Sequence, residues 1–167
     1  MKLYLMRHGP AEGASASGKD EDRALTSAGR DRVRRVAKAL VEIDEVPVEI
    51  LVSPLVRAVQ TAEIVALSTK LSEREGRVEV REELVPGGHA VTLARRLAAE
   101  GRRRVMMVGH EPDMSELALA LLAPLERGFD KAMVVGLHLA PDAGAARLRF
   151  VLQPKTLRLD PDARTPS

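Results

Sequence analysis

Three short, mostly apolar runs mark the first two-thirds of the chain, and each stops at turn residues. Residues 3–6 run into Arg7-His8-Gly9-Pro10, residues 48–52 into Ser53-Pro54, and residues 104–108 into Gly109-His110-Glu111-Pro112. Runs this short, bounded by Gly and Pro, read as buried strands. Between them the apolar spacing changes to that of helices. Val33, Val36, Ala37, Leu40 and Val41 predict a helix capped by Thr26 or Ser27 and ending near Ile43. Leu55, Ala58, Val59, Ala62, Val65 and Ala66 predict a second, with Ser53 as its cap and Pro54 at its first position. A third spans about 89–99 and ends at Gly101, and a fourth, opened by Pro112, buries Met114, Leu117, Ala118, Leu121 and Leu122. Residues 78–80 read as a short edge strand. Residues 132–139 and 147–153 read as a closing hairpin around Pro141, Asp142 and Gly144. Strands alternating with helices imply an α/β fold: a three-layer α/β/α arrangement around a mostly parallel sheet, with antiparallel strands at the C-terminal end.

The connections add two expectations. Residues 10–24, rich in Gly, Ser, Ala and acidic side chains, form a long loop that reads as mobile and covering a site. Residues 82–88 and 124–131 are further loops, and residues 160–167 read as a frayed tail.

Composition narrows the class. With 167 residues, 45% apolar and 30% charged, the chain is sized for one globular domain with a proper core. No apolar run approaches the roughly 18 residues of a membrane span. Charge and turn residues interrupt the N-terminus by position 7, against a signal peptide. Zero cysteines exclude disulfides, thiolate nucleophiles and Cys-ligated zinc, which fits a cytoplasmic protein. Of 26 basic residues six are Lys, leaving 20 Arg, yet the net charge is only +2. Two Phe, one Tyr and no Trp argue against a base-stacking nucleic-acid surface.

The chemistry lies where the three strands end. If they are parallel neighbours, Arg7, His8, Arg57 and His110 converge at one sheet edge, beside helix N-termini that favour anions. Guanidinium forks and imidazoles suit a dianionic tetrahedral group such as a phosphoryl. The two histidines lack the carboxylate or Cys partners of a zinc site, and nearby arginines repel a cation. No G-x-x-x-x-G-K or G-x-G-x-x-G loop occurs, and Val52-Ser53-Pro54 is not a nucleophile elbow. A neutral imidazole remains as the candidate nucleophile toward phosphorus. His89 reads as a helix-start residue and His138 as structural. Glu111 reads either as a helix-start anion or as a partner supporting the site.

Four blocks in order carry a resemblance: Leu5-Met6-Arg7-His8-Gly9; Arg23 with Leu25-Thr26 and Gly29; Leu51-Val52-Ser53-Pro54 with Arg57-Ala58 and Gln60-Thr61; and Val108-Gly109-His110-Glu111-Pro112. Together they resemble the histidine phosphatase superfamily, most closely its short phosphohistidine phosphatases, over about residues 1–155, with 156–167 as a tail. The resemblance implies a phosphoglycerate mutase-like fold and a metal- and cofactor-independent phosphohydrolase. It implies His8 as nucleophile, with Arg7, Arg57 and His110 binding the phosphoryl group. Arg23 matches the Arg before Leu-Thr and is expected to reach substrate or phosphate. Glu83 matches the family's Glu-Leu position and is the candidate general acid; as a residue by itself it reads as a surface carboxylate. The implied partner is a phosphohistidine-containing phosphorelay protein or a small phosphorylated substrate, without nucleic acid or membrane. A small-molecule phosphomonoesterase and a non-catalytic phosphohistidine-binding module are the alternatives.

Overall fold

The computed structural model describes residues 1–122, 128–142 and 146–160. Its elements, in chain order, are β1 (Lys2–Arg7), α1 (Ser27–Glu42), β2 (Glu49–Val52), α2 (Val56–Ser68), β3 (Arg77–Val80), α3 (Ala90–Ala99), β4 (Arg104–Gly109), α4 (Asp113–Leu121), β5 (Val134–His138), β6 (Arg147–Leu152) and β7 (Leu159–Asp160). They build one seven-stranded sheet in the order β3-β2-β4-β1-β5-β6-β7. The four strands from β3 to β1 are parallel, and β5, β6 and β7 are antiparallel.

Strand periodicity sorts the side chains into two cores. Leu3, Leu5, Leu51, Val105 and Met107 face α3 and α4, whereas Tyr4, Met6, Ile50, Val52, Met106 and Val108 face α1 and α2. The central strands are buried on both faces, which is why their sequences are continuous apolar runs rather than alternating ones. The expected three-layer α/β/α sheet is therefore the observed one.

Local chemistry explains two of the helix boundaries. Thr26 caps α1 by accepting the Gly29 N–H at 2.9 Å. Gly29, unfavourable for helix propensity, is required by packing: a Cβ there would stand 2.0 Å from the Pro10 carbonyl oxygen. Gly101, at φ +72°, closes α3 as expected. The edge position of β3 and the closing β5–β6 hairpin also match expectation.

Several details differ. α2 begins at Val56, not at Ser53-Pro54, because Ser53 is still in the sheet ladder: its N–H donates to the Val108 carbonyl at 3.1 Å. α4 begins one residue after Pro112, which occupies the N-cap position. Val41 lies at the solvent edge of α1, 41% exposed, and Leu122 is only partly buried beyond the end of α4. Leu159–Asp160, inside the stretch expected to be a tail, pairs with β6. The 82–88 loop contains a 3₁₀ turn at Glu82–Leu84. Of the remaining expectations, much of the 124–131 loop, turn residue Gly144 and the tail from 161 onward lie outside the described residues. Among the described residues, no helix is long and apolar enough to cross a membrane.

Candidate functional site

Parallel pairing brings the distant turn residues together. In the β1–β4 register Arg7 stands opposite Gly109, and the His8 N–H extends the ladder by donating to the Gly109 carbonyl at 3.0 Å. His8 and His110 thus leave adjacent strands at the same edge, with ring centroids 5.1 Å apart and planes tilted by 53°. β2, on the other side of β4, delivers Ser53 and then α2. Arg57, in the first turn of α2, is buried to 4% exposure.

Each ring has a fixed partner. His8 Nδ1 lies 2.7 Å from the Gly9 carbonyl oxygen, which can only accept, so the ring proton sits on Nδ1 and Nε2 carries the free lone pair. Burial, the largest influence, pushes the His8 imidazole down to about 4; the Gly9 carbonyl pulls the other way, and Arg57, Arg7 and Lys131 push it further down. His110 is held down to about 3, by burial first and then by His8 and Arg57. Its Nε2 lies 2.8 Å from the Ser53 hydroxyl. Both rings are therefore neutral at pH 7.

The two arginines are restrained differently. Arg7 donates Nη1 to the Phe129 carbonyl at 2.7 Å. Arg57 donates Nη1 to the Asp20 carbonyl at 2.8 Å and Nη2 to the Asp20 carboxylate at 2.9 Å. The Nε atoms of both are buried with no hydrogen-bond partner among the described residues. Thr61 ties this corner together, donating its hydroxyl to the Arg57 carbonyl at 2.7 Å and accepting the Gly9 N–H at 3.0 Å. Arg23 joins through Asp20, whose Oδ1 it grips with Nε at 2.7 Å. The Asp20 carboxyl is held low, first by Arg23 and then by Arg57. The 10–24 loop thus reaches the site at Asp20 and is pinned at its base by the pairing of Ala11 with Leu25.

Glu83 is held by two arginines of its own. Its carboxylate accepts from Arg81 at 2.6 Å and from Arg96 at 2.8 Å. Arg81 in the first place holds it down to about 2. A carboxyl so stabilised is ionised at neutral pH in the substrate-free protein. His89 occupies the N-cap of α3 without a side-chain capping bond, and His138 ends β5, paired in register with Lys2 at the strand end opposite Arg7. Among the described residues, no group of three or more His, Cys, Asp or Glu is placed to hold a metal ion.

Reading the sequence alone missed Asp20, Ser53 as partner of His110, Thr61 as a tie, and the carbonyl of Phe129. Ser53 and Thr61 fall inside the matched blocks, so a signal existed. Asp20 is one of several acidic residues in a polar loop and carried none.

Comparison with known proteins places this geometry in a family. Phosphohistidine phosphatase SixA of Escherichia coli (strain K12) is 37% identical over 128 residues, 72% of this chain and 74% of that protein. The chain belongs to the histidine phosphatase superfamily. The model of branch 1 of the histidine phosphatase superfamily matches residues 3–85, which hold Arg7, His8, Arg23, Arg57 and Glu83 but not His110. A second relative, the uncharacterized protein SYNPCC7002_A2622 of Picosynechococcus sp., is 34% identical over 155 residues, 89% of each chain. Among solved structures, protein histidine phosphatase SixA complexed with tungstate superposes with a TM-score of 0.84 at 28% identity, covering 95% of this chain and all of that one. The expected phosphoglycerate mutase-like architecture of the superfamily is the one observed. These histidine phosphatase relatives support a phosphatase as the enzyme class.

Proposed function

We propose that this protein is a protein phosphohistidine phosphatase that works without a metal, through a covalent phosphohistidine on His8. The observation that carries the reading is the state of the His8 ring: neutral, its one proton committed to the Gly9 carbonyl at 2.7 Å, its Nε2 lone pair at the edge where Arg7, Arg57 and His110 gather. Nε2 attacks phosphorus as the bond from phosphorus to the substrate imidazole breaks, and that imidazole, already protonated on its other ring nitrogen, leaves with the electron pair as a neutral molecule. Water then attacks the His8-bound phosphorus, releasing inorganic phosphate and restoring the neutral ring. The guanidinium groups and His110 meet the charge on the equatorial oxygens, which is where such sites gain most of their rate.

Leaving-group chemistry supports the phosphohistidine substrate. Imidazole protonated on its distal ring nitrogen departs from phosphorus as a neutral molecule whose conjugate acid has a pKa near about 6.5, far more readily than an alkoxide, and needs no further proton on the departing nitrogen. That suits a site whose only acid candidate from sequence, Glu83, is locked as a carboxylate by two arginines. A compact chain without inserted caps also suits a substrate carried on the surface of a phosphorelay protein. Turnover on a panel of a phosphohistidine protein, a phosphoserine peptide and sugar phosphates tests the reading. Preference for the phosphohistidine protein is expected; preference for a sugar phosphate would overturn the substrate, and no hydrolysis of any member would overturn the activity.

Three further outcomes are expected. Glu83→Gln should change kcat by no more than about threefold, as for a surface ion pair, and a loss near 10²-fold would restore it as an acid. The acid limb of kcat/KM, corrected for spontaneous substrate hydrolysis, should fall near pH 4: above that value His8 is neutral and nucleophilic, below it protonated and inert. A limb near the ordinary imidazole value would contradict the buried, neutral ring. Finally, an incoming phosphoryl group competes with the Asp20 carboxylate for Arg57 Nη2. Asp20→Ala should therefore tighten inhibition by inorganic phosphate severalfold, the scale of an exposed ion pair, whereas weaker inhibition would make Asp20 part of the bound state.

A further inference from the structure

Glu111 follows the site histidine directly in sequence, yet nothing in the proposed reaction uses it. Its carboxylate turns back along α4, where Oε2 accepts the Ser115 N–H at 3.1 Å and Oε1 accepts the Ser115 hydroxyl at 2.6 Å. Those two bonds alone would make it a helix-start cap. Oε1 also accepts the Phe129 N–H at 2.7 Å, from a segment 18 residues away. The other face of that same residue is the Phe129 carbonyl that accepts Arg7 Nη1 at 2.7 Å. Phe129 is fixed from a third side, because its ring is buried among the α3–α4 core. Gly128 makes the approach possible: a Cβ there would stand 2.8 Å from Glu111 Oε1.

We propose that Glu111 is a positioning residue for the phosphoryl site, acting through the Phe129 peptide on Arg7. The carboxylate sets where the Phe129 carbonyl stands, and the carbonyl holds one corner of the guanidinium, so that Arg7 Nε, buried and without a hydrogen-bond partner among the described residues, keeps its place for the phosphoryl group. The role differs from that of the Arg57 partner. Asp20 is an exposed carboxylate that a phosphoryl group can replace, whereas the Phe129 carbonyl is a main-chain group locked in the core. Arg7 is thus held by a main-chain group alone, whereas Arg57 keeps a main-chain tie to the Asp20 carbonyl and exchanges the Asp20 carboxylate for the substrate. The catalytic consequence rests on the proposed phosphatase reading; the tether itself does not.

The test combines kinetics with a direct view of the arginine. Glu111→Ala should lower kcat/KM by between about tenfold and 10²-fold, the range for a misplaced catalytic contact. Glu111→Gln, which keeps one oxygen acceptor for the Phe129 N–H, should recover most of that loss. Ser115→Ala, which removes a bond to Glu111 but leaves the Phe129 link, should stay within about twofold of wild type. In an Arg7→Ala background, adding Glu111→Ala should cost less than about twofold more, because the tether has nothing left to position. In ¹H–¹⁵N spectra, the Arg7 Nε–H signal should broaden or exchange faster in Glu111→Ala while the rest of the spectrum keeps the folded pattern. Wild-type turnover in Glu111→Ala, an equal loss with and without Arg7, or an unchanged Arg7 signal would each overturn the proposal. If the Arg7 signal responds as expected but the wild-type protein hydrolyses no phosphorylated substrate, the tether stands and the phosphatase reading fails.

Discussion

Substitution of His8 by alanine is expected to abolish turnover, a loss on the order of 10⁴-fold or more, as for removal of a covalent nucleophile. The fold should survive. The ring's hydrogen bond is to the carbonyl of the neighbouring Gly9, and the ring packs at a tilt on His110. The backbone of position 8, by contrast, is held by bonds that alanine keeps: its N–H donates to the Gly109 carbonyl, and its carbonyl accepts from the Ala132 N–H. Far-UV circular dichroism and the cooperativity of thermal unfolding should match the wild type. A rapid acid-free quench after mixing with radiolabelled phosphohistidine protein should trap label on the wild-type chain and none on His8→Ala. A variant that turns over at near wild-type rate, or that still traps label, would remove His8 from its role.

What made His8 legible was local. An apolar run too short for a helix, ended by Arg7-His8-Gly9-Pro10, states strand then turn, and the parallel order of the strands then follows from the alternation with helices. The same logic located Arg57 and His110, because each lies within one turn of a strand end. Where the reading failed, a tertiary partner outweighed a local rule. Ser53 before Pro54 has the signature of a helix cap, but the sheet ladder takes its N–H and His110 engages its hydroxyl, so α2 starts two residues later than that signature implies. Val41 fits the apolar stripe of α1 by spacing yet sits at its solvent edge. Asp20 was illegible for a different reason: its importance comes from Arg57, 37 positions away, and a loop sequence encodes no such pairing. Glu111 was half legible. Its place after His110 pointed to either helix start or site support, and the structure gives it bonds of both kinds.

Arg57→Ala is expected to cost at least roughly 10²-fold in kcat, the scale for losing one preorganised contact to transition-state charge. The contact is preorganised because the side chain is buried, its Nε is unpaired among the described residues, and the main chain beneath it is locked by Thr61 to Gly9 of the His8 turn. Loss in kcat, more than in KM, is the expected split, since the guanidinium meets equatorial oxygens whose charge arrangement changes most as the phosphoryl group transfers. Arg57→Lys should recover little, because a point charge on a flexible stem cannot reproduce a two-pronged grip such as the one Arg57 now makes on Asp20. The internal anion supplies a check on this assignment. With Arg57 gone, the Asp20 carboxylate loses its competitor role at Nη2, so Asp20→Ala should no longer tighten inhibition by inorganic phosphate in the Arg57→Ala background. If it still does, the two side chains act separately and phosphate binds elsewhere than on Arg57; if the effect vanishes, the guanidinium that Asp20 occupies at rest is the one that phosphate takes.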